Sequence, residues 1–287
     1  MPDNLPAPDN AFLALPDHAV VMLEGPDARA FAQAQFANDV EALAEGQWQW
    51  NCWLTPKGRV IALFIMARTA TEQLLLIAPD YRADVMGQQL QRFVFRRKLS
   101  IRADHGLLAS GCLESSDHTL DTRVGRVADA WELGLPGGGH ARTLRVGTHP
   151  VAQQQAFVSQ WQACDLMHGI PRLAEAQRDR WTPQQLSLER LQAFSVKKGC
   201  YPGQEIVART HFLGKAKRGL VLLRTSAPLM TGTELRQEGR AVGEVVASEG
   251  ASLLALAVLP ATQDIALLEA EGATLAQVPL LDGMARG

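Results

Sequence analysis

Residues 47–67 read QWQWNCWLTPKGRVIALFIMA, which is two apolar runs on either side of the segment TPKG. Pro and Gly in such a short polar segment favour a tight turn. The pattern therefore predicts a hairpin of two strands, Gln47–Leu54 and Arg59–Ala67, around the turn Thr55–Gly58. A third strand is predicted at Gln73–Ala78, so this region indicates a run of neighbouring strands.

Helical segments are predicted on both sides of this region. Before it, His18–Glu24 is strand-like, and Pro26 and Asp27 suit the start of a helix. After it, Asp80–Arg97 has the apolar spacing of a helix, and Lys98–Arg102 returns to a strand. This alternation predicts an α+β module and not a doubly wound parallel sheet. The sequence has no G-x-G-x-x-G and no P-loop, so it shows no nucleotide-binding cradle.

The second half of the chain predicts one more helix and then a β-rich end. Ala152–Met167 is amphipathic at helical spacing, and Pro136–Gly139 is predicted to be a loop. Short β-prone runs then predict a small C-terminal β-barrel or sandwich: Gly219–Thr225, Ala241–Ser248, Ser252–Leu259 and Leu275–Leu280. The predicted modules are residues 1–105, 106–218 and 219–287, of which the first two can exchange segments.

Composition excludes several classes of protein. The chain has 287 residues, 47% of them hydrophobic, and a net charge of −2, whereas a general nucleic-acid binder is basic over a whole domain. No apolar run reaches the roughly 18 residues of a membrane span. Met1–Asn10 contains no basic residue and no apolar core, so it is not a secretory signal. A cytoplasmic protein is expected.

The four cysteines are far apart in the sequence and form no C-x-x-C pair. Zinc sites and protein-held clusters usually show paired ligands at short spacing, so no metal site is predicted. Cys52, Cys112 and Cys164 are expected to be small buried apolar residues.

The segment Lys197–Arg209, KKGCYPGQEIVAR, has the features of a reactive cysteine site. Pro202 suits the first turn of a helix, which places Cys200 just before a helix start. The positive end of the helix dipole and the neighbouring Lys197 and Lys198 favour thiolate over thiol. On spacing alone, an ordinary turn is the alternative.

A local excess of positive charge surrounds this cysteine. Between residues 197 and 218 the only acid is Glu205, and there are six basic side chains: Lys197, Lys198, Arg209, Lys215, Lys217 and Arg218. Such a surface suits an anionic ligand, such as a glutamate tail or phosphates, although a solvated face gives the same pattern.

The stretch from Lys198 to Arg209 resembles the K-G-C-Y-x-G-Q-E-x-x-x-R signature of the YgfZ proteins. Other stretches resemble the folate-dependent aminomethyltransferase superfamily to which that family is related: residues 25–40, the hairpin 54–60, and Gly169-Ile170-Pro171. Together these anchors extend over about residues 20–220.

The resemblance implies a three-module ring with tetrahydrofolate inside: two mixed α/β modules of aminomethyltransferase type and the small C-terminal β-barrel. It implies an accessory protein that supports assembly or repair of iron–sulfur enzymes, including tRNA-thiolating ones, through the thiol of Cys200. The residues it assigns to the reactive site are Cys200, Lys198 and Arg209, and those it assigns to folate are Trp161, His18, Tyr201, Gln204 and Glu205. A core position on the helix is the alternative for Trp161.

Three departures from the family pattern matter for function. Relatives often have a tryptophan at the position of His18, and a glutamate that can pair with the pterin at the position of Met167. Asp165 is the nearest acid to Met167 in the sequence. The acidic pair of the aminomethyltransferases aligns with Ala62 and Leu63, so no carboxylate there can orient the folate nitrogen.

Three functions remain to be compared. The leading hypothesis is an accessory factor that acts on iron–sulfur client enzymes through Cys200. A conventional enzyme is not expected. A folate-dependent aminomethyltransferase-like enzyme is the alternative, against which Ala62 and Leu63 count. An RNA-binding module is the third, but the near-neutral charge and the lack of aromatic RNA motifs argue against direct nucleic-acid binding.

Overall fold

The computed structural model describes residues 11–103, 106–115, 122–135, 137, 141–214, 216–261, 263–264 and 268–282. The predicted loop Pro136–Gly139 lies outside these ranges apart from Gly137, as do Met1–Asn10 and Lys215 of the basic run. Of the helices in the described ranges, none is both long and apolar enough to cross a membrane.

Within the same ranges the chain forms four α-helices, two short 3-10 helices and fifteen strands. The α-helices are α1 Ala28–Gln35, α2 Ala83–Gln91, α3 Gln155–Met167 and α4 Gln204–Leu213. The 3-10 helices are Glu175–Gln177 and Leu188–Leu191. The strands are β1 Leu13–Ala14, β2 His18–Glu24, β3 Gln47–Leu54, β4 Val60–Ala70, β5 Gln73–Pro79, β6 Ser100–Arg102, β7 Leu108–Cys112, β8 Val124–Val127, β9 Ala130–Leu135, β10 Arg142–Gly147, β11 Arg218–Thr225, β12 Glu234–Gln237, β13 Arg240–Glu249, β14 Leu254–Pro260 and β15 Leu275–Val278.

The first sheet has the strand order β3-β4-β5-β2-β6, and all its neighbouring pairs are antiparallel. Strands β3 and β4 pair around Thr55–Gly58, so the predicted hairpin is confirmed. Helices α1 and α2 cover one face of this sheet. Helix α2 ends at Gln91, earlier than the predicted Arg97. The chain turns back towards β6 there, and Phe95 has a φ of 49°, which an α-helix does not accommodate.

Two further antiparallel sheets follow, with the orders β1-β7-β10-β9-β8 and β12-β13-β14-β11-β15. The sequence predicted four of the five strands of the third sheet, but not β12, and none of the strands of the second. Strand β1 comes from the N-terminal segment, yet it pairs with β7, through Leu13 and Gly111. The chain thus passes from the second sheet to the first and back.

A large apolar core joins the three sheets. It includes Trp48 and Trp50 of the first sheet, Leu144 of the second, and Leu222 and Val258 of the third. Two smaller cores lie between the first sheet and its helices and within the third sheet. Because the central core belongs to all three sheets, a site at their junction rests on residues distant in sequence.

Candidate functional site

Cys200 lies on an exposed turn directly before α4, and the other three cysteines are buried. Burial raises the pKa of the Cys52, Cys112 and Cys164 thiols. A raised pKa leaves less thiolate, which is the nucleophilic form. The prediction that these three are buried apolar residues is confirmed, and Cys200 is the cysteine that a reagent in solution can reach.

Lys198 does not act as a free charge beside Cys200. Its side chain is 6% exposed, and its ammonium donates to the carbonyl oxygens of Gln33, Phe36 and Asn38 at 2.5, 2.6 and 2.9 Å. The carbonyls of Gln33 and Phe36 lie at the C-terminal end of α1, where helices leave carbonyl groups unpaired and favour positive charge, and that of Asn38 lies in the loop after it. The Lys198 ammonium is therefore bound to the end of α1 and the loop after it.

The pKa of Lys198 is consistent with this position. Burial lowers it to about 8, while the charges of Asp39, Cys52 and Glu41 oppose the change. Three carbonyl acceptors require the protonated form, which has three N–H donors. At neutral pH the contact is thus a charge-assisted one.

Tyr201 and Gln204 hold the turn from inside. The Tyr201 hydroxyl donates to the Ser195 carbonyl at 3.1 Å, and the Gln204 amide donates to the Lys198 carbonyl at 3.1 Å. The Ser195 hydroxyl accepts from the backbone N–H of Lys197 at 3.2 Å. Tyr201 is buried, so in this structure it stabilises the turn and presents little surface to a ligand.

Gly203 lets the start of α4 approach the hairpin turn Thr55–Gly58. Its φ is 81°, and a Cβ there would lie 2.6 Å from the Thr55 carbonyl oxygen and 2.7 Å from the Gly58 Cα. These are backbone atoms, which cannot move aside as the end of a flexible side chain can. The residues around Cys200 are therefore fixed against the first sheet at two places, α1 and the hairpin.

The remaining predicted residues of the motif face solvent. Glu205 in the first turn of α4 and Arg209 one turn later are both exposed. Lys197, also exposed, lines a cavity next to the motif. We call residues 197–203 the Cys200 turn.

A cavity of about 550 Å³ lies beside the Cys200 turn. Its wall combines the loop after α1, strand β3, the segment leading to the Cys200 turn, and α4. The lining residues are Asn38, Asp39, Ala42, Trp48, Gln49, Trp50, Thr122, Glu189, Leu191, Gln192, Phe194, Ser195, Val196, Lys197 and His211. This volume suits a ligand the size of a cofactor.

The wall of this cavity is held by specific bonds. The Asn38 side-chain amide donates to the carbonyls of Trp50 and Gln192, both at 2.7 Å, which joins β3 to the 3-10 helix Leu188–Leu191. Ser187 and Gln192, on either side of that helix, have φ of 51° and 49°. Non-glycine residues seldom adopt this left-handed conformation, so the backbone on both sides of this helix is tightly constrained.

Glu189 and His211 are ionisable side chains on the cavity wall. Burial raises the pKa of Glu189, while its own backbone N–H and the charge of His211 oppose the change. Carboxylates are stabilised by donors, so this group favours a ligand that brings hydrogen-bond donors.

Trp161 and His18 lie in the protein core and not in the lining of this cavity. Trp161 is 1% exposed and packs on Gly111, where a Cβ would come within 2.4 Å of the indole. The Arg142 guanidinium lies over its ring at 4.4 Å, and His18 meets it edge-on at 6.3 Å. The structure thus brings these two predicted residues together, but in the core position that was the alternative for Trp161.

A cluster of buried ion pairs lies next to Trp161. Arg172 pairs with Asp80 at 2.5 Å, Asp17 at 2.6 Å and Asp165 at 3.1 Å, and Asp165 also pairs with Arg142 at 2.9 Å. We call Asp17, Asp80, Asp165 and Arg172 the Arg172 cluster. Since Asp165 is used by two arginines, it is not available to replace the glutamate that relatives have at the position of Met167.

The structure also shows the two positions that align with the acidic pair of the aminomethyltransferases. Ala62 and Leu63 are buried in β4, opposite Trp53 and Cys52, so this strand carries no acid at those positions. Among the described residues, no group of three or more His, Cys, Asp or Glu side chains is placed to hold a metal ion.

Several lining residues were missed by the sequence analysis. Trp48 and Trp50 alternate along β3, and side chains two apart share one face of a strand, so their pairing was a usable signal. Glu189, Gln192 and His211 gave no such signal. Their cavity depends on bonds between segments about 150 residues apart, such as Asn38 to Gln192.

No family model matches the chain. Curated relatives include the tRNA-modifying protein YgfZ of Serratia proteamaculans, which is 29% identical over 250 residues, or 75% of this chain and 71% of that protein. The tRNA-modifying protein YgfZ of Colwellia psychrerythraea is 24% identical over 295 residues, or 93% and 91% of the two chains. An uncharacterised protein of Haemophilus influenzae is 24% identical over 79% of each chain.

Among solved structures, the glycine cleavage system aminomethyltransferase T of Bartonella henselae is similar with a TM-score of 0.73. The similarity covers 93% of this chain and 84% of that chain at 16% sequence identity. The fold is therefore aminomethyltransferase-like, as expected from the sequence.

Proposed function

Because the chain is a homologue of the YgfZ tRNA-modifying proteins, we propose that it is a tetrahydrofolate-binding accessory factor that supports iron–sulfur enzymes, including tRNA-thiolating ones. The observation that carries the proposal is the position of Cys200. It is exposed on a turn fixed by buried contacts, and the same turn borders a cavity of cofactor size.

Folate fits the character of this cavity. Its lining includes Phe194, which is half-buried, together with the almost fully buried Trp48 and Trp50, and aromatic contacts of this kind suit the flat face of a pterin. Lys197 and His211 can meet the carboxylates of a glutamate tail. We propose that tetrahydrofolate occupies this cavity and that the three modules surround it as a ring.

The Cys200 sulfur supplies the chemistry in this proposal. It is a nucleophile and a soft metal ligand, and its exposure lets a client protein reach the sulfur. Arg209 and Lys197 provide positive charge on the same exposed side, and Glu205 lies in the first turn of α4. The proposed partners are client proteins, so the basic side chains would contact protein or cofactor and not RNA directly.

Because the fold is aminomethyltransferase-like, the second candidate function is that of a folate-dependent aminomethyltransferase-like enzyme. The buried Ala62 and Leu63 count against it, since one-carbon transfer in this superfamily uses a carboxylate at the aligned position. An assay with an aminomethyl donor and tetrahydrofolate compares the two candidates, and turnover would favour the enzyme.

The central experiment is complementation of a bacterial strain that lacks its own YgfZ gene. Wild type should restore thiolated tRNA and the activity of iron–sulfur enzymes, whereas Cys200→Ala should fail although it folds. Cys112→Ala, which removes a buried thiol, is the matched control and should complement. Full complementation by Cys200→Ala would reject a role for this sulfur.

A further inference from the structure

The segment between α2 and β6 concentrates exposed positive charge. Residues 92–98 read RFVFRRK, and no acid occurs between positions 85 and 103. The basic side chains Arg92, Arg96, Arg97 and Lys98 are all exposed, and none of them forms an ion pair with a described residue. We call residues 92–98 the basic loop. Because the whole chain has a net charge of −2, this concentration of charge is local.

Two phenylalanine rings protrude from the basic loop. Phe95 is 87% exposed and Phe93 is 39% exposed, whereas Val94 between them is buried in the core between the first sheet and its helices. The Phe93 ring meets Trp53 edge-on at 6.4 Å, which fixes its position. A single exposed apolar residue is ordinary on a protein surface. Two rings among four unpaired cations form a surface that a partner can bind.

The backbone of the basic loop is held in place before any partner arrives. The N–H of Arg97 donates to the Val94 carbonyl at 3.0 Å, and the N–H of Lys98 donates to the Asp27 carboxylate at 2.6 Å. Gly25 packs closely on the loop, since a Cβ there would lie 2.5 Å from the Lys98 carbonyl oxygen. A surface that is already ordered loses little conformational entropy when it binds.

Helix α1 separates the basic loop from the Cys200 turn. Asp27, which holds Lys98, directly precedes α1, whereas Lys198 binds carbonyls at the other end of that helix. The eight residues of α1 extend over about 12 Å. The basic loop is thus a second exposed surface, with its own side chains.

The chemistry of this surface favours unpaired RNA over other anionic partners. Guanidinium groups bind phosphates through two parallel bonds, and flat apolar rings stack on bases. The exposed amides of Gln88 and Gln91 on the neighbouring α2 can bond base edges. A membrane surface is usually bound by a helix with a long apolar face, which this loop lacks because Val94 points inwards. An acidic peptide offers carboxylates without flat rings, and a duplex hides its bases, whereas RNA loops expose theirs.

We propose that the basic loop binds an unpaired segment of RNA, with the Phe95 ring on a base and the guanidinium groups of Arg96 and Arg97 on phosphates. This function lies beyond the one proposed for Cys200 and does not depend on it. The overall charge of the chain does not reveal it, because the binding surface is a single loop.

The first test concerns the ring. Fluorescence anisotropy measures the affinity of the full chain for a labelled RNA hairpin with a loop of about eight nucleotides and for a fully paired RNA duplex of the same length. Wild type should prefer the hairpin, and Phe95→Ala should weaken hairpin binding by about 5- to 100-fold. Phe212→Ala removes another exposed ring, on α4, and should bind as wild type does. Thermal unfolding checks that each variant folds.

The second test concerns the charge. For wild type and for the double variant Arg96→Gln/Arg97→Gln, hairpin affinity is measured against salt concentration, and the slope of the logarithmic plot should be shallower in the variant by about 1.4. The control is Arg224→Gln/Arg240→Gln, which removes two exposed cations from the third sheet and should keep the wild-type slope.

Three results would overturn the proposal. They are no binding of the hairpin at low salt, equal affinity for hairpin and duplex, and unchanged affinity in Phe95→Ala. Competition identifies a different occupant: if polyglutamate or phosphatidylglycerol vesicles displace the hairpin as well as unlabelled RNA does, the surface is not specific for RNA and the proposal is wrong.

Discussion

The Cys200 turn and the Arg172 cluster both contain polar groups, but the cluster bonds its groups to one another, whereas the turn leaves its thiol exposed. In the Arg172 cluster, every nitrogen of the Arg172 guanidinium reaches a carboxylate, and the group is almost fully buried. At the Cys200 turn, buried contacts of Lys198 and Tyr201 leave the sulfur exposed. Near it, the Glu189 carboxylate is open to a ligand.

The difference shows where function can reside. Charges that neutralise one another inside the protein hold elements together and have nothing left to offer a ligand. Asp17 before β2, Asp80 after β5, and Asp165 on α3 are joined in this way by Arg172. The family resemblance assigned Trp161, beside this cluster, to folate binding. The polar groups that a ligand can reach lie instead at the cavity and the Cys200 turn.

The largest effect is expected from Arg172→Ala. It leaves the buried carboxylate of Asp165 and the half-buried carboxylates of Asp17 and Asp80 without this partner, which should lower the free energy of unfolding by about 3–5 kcal/mol. Urea denaturation measures the change. Arg236→Ala removes an exposed pair with Glu234 and should cost less than about 1 kcal/mol. Equal losses in the two variants would show that the Arg172 cluster stabilises the fold no more than an exposed ion pair does.

Gly203→Ala should have the next largest effect. The substitution forces a Cβ against the backbone of Thr55 and Gly58 at a φ of 81°, and we expect a loss of about 1–3 kcal/mol. Gly214→Ala is the control, since a Cβ at Gly214 meets nothing within 4 Å. Alkylation of Cys200 should also change in rate in Gly203→Ala. Similar stability of the two variants would show that the hairpin contact does not fix the turn.

The Arg172 cluster should also make stability depend on pH. Burial alone would raise the pKa of Asp17, but hydrogen bonds from His18 and Gln162 and the charge of Arg172 lower it well below its usual range. A carboxylate with a lowered folded pKa stabilises the protein above its unfolded pKa, and this contribution is lost as the pH falls below about 3.8. Melting temperature measured from pH 6 to pH 3 should fall more steeply in wild type than in Asp17→Asn. If the melting temperatures of wild type and Asp17→Asn fall in parallel with pH, Asp17 does not contribute to the loss of stability in acid.

Cys200→Ala should have the smallest effect on stability. The residue is exposed, so the change in unfolding free energy should stay within about 0.5 kcal/mol. In the native wild type, iodoacetamide should label Cys200 first, and the buried Cys52, Cys112 and Cys164 only after unfolding. Peptide mass spectrometry reads the order. Labelling of a buried cysteine before Cys200 would show that the exposed turn is not the reactive part of the molecule.

Much of the first and third sheets could be predicted from the sequence because their strands are long apolar runs separated by Gly, Pro or polar turns. The second sheet could not. Its strands β7 (LASGC) and β10 (RTLRVG) are short and contain glycine or arginine. Arg142 is buried in β10 only because Asp165 and the Trp161 ring receive its charge, and no local pattern predicts that partnership.

The candidate site was predictable to the extent that its features are local. The turn, the helix start after Pro202 and the burial of three cysteines followed from neighbouring residues. The role of Lys198 did not, because its acceptors belong to a helix in another part of the sequence. The Glu189 carboxylate was missed for the same reason, since its surroundings exist only after distant segments meet.

The contact of Lys198 with the end of α1 has a consequence for the making of the protein. The two sides of that contact are separated by 160 to 165 positions in the chain. During synthesis, α1 leaves the ribosome long before Lys198 exists, and its last carbonyls meet water until then. The contacts that hold the Cys200 turn therefore need the N-terminal part of the chain, which is synthesised first. The final surroundings of the sulfur thus combine residues made early in synthesis with residues made more than 160 positions later.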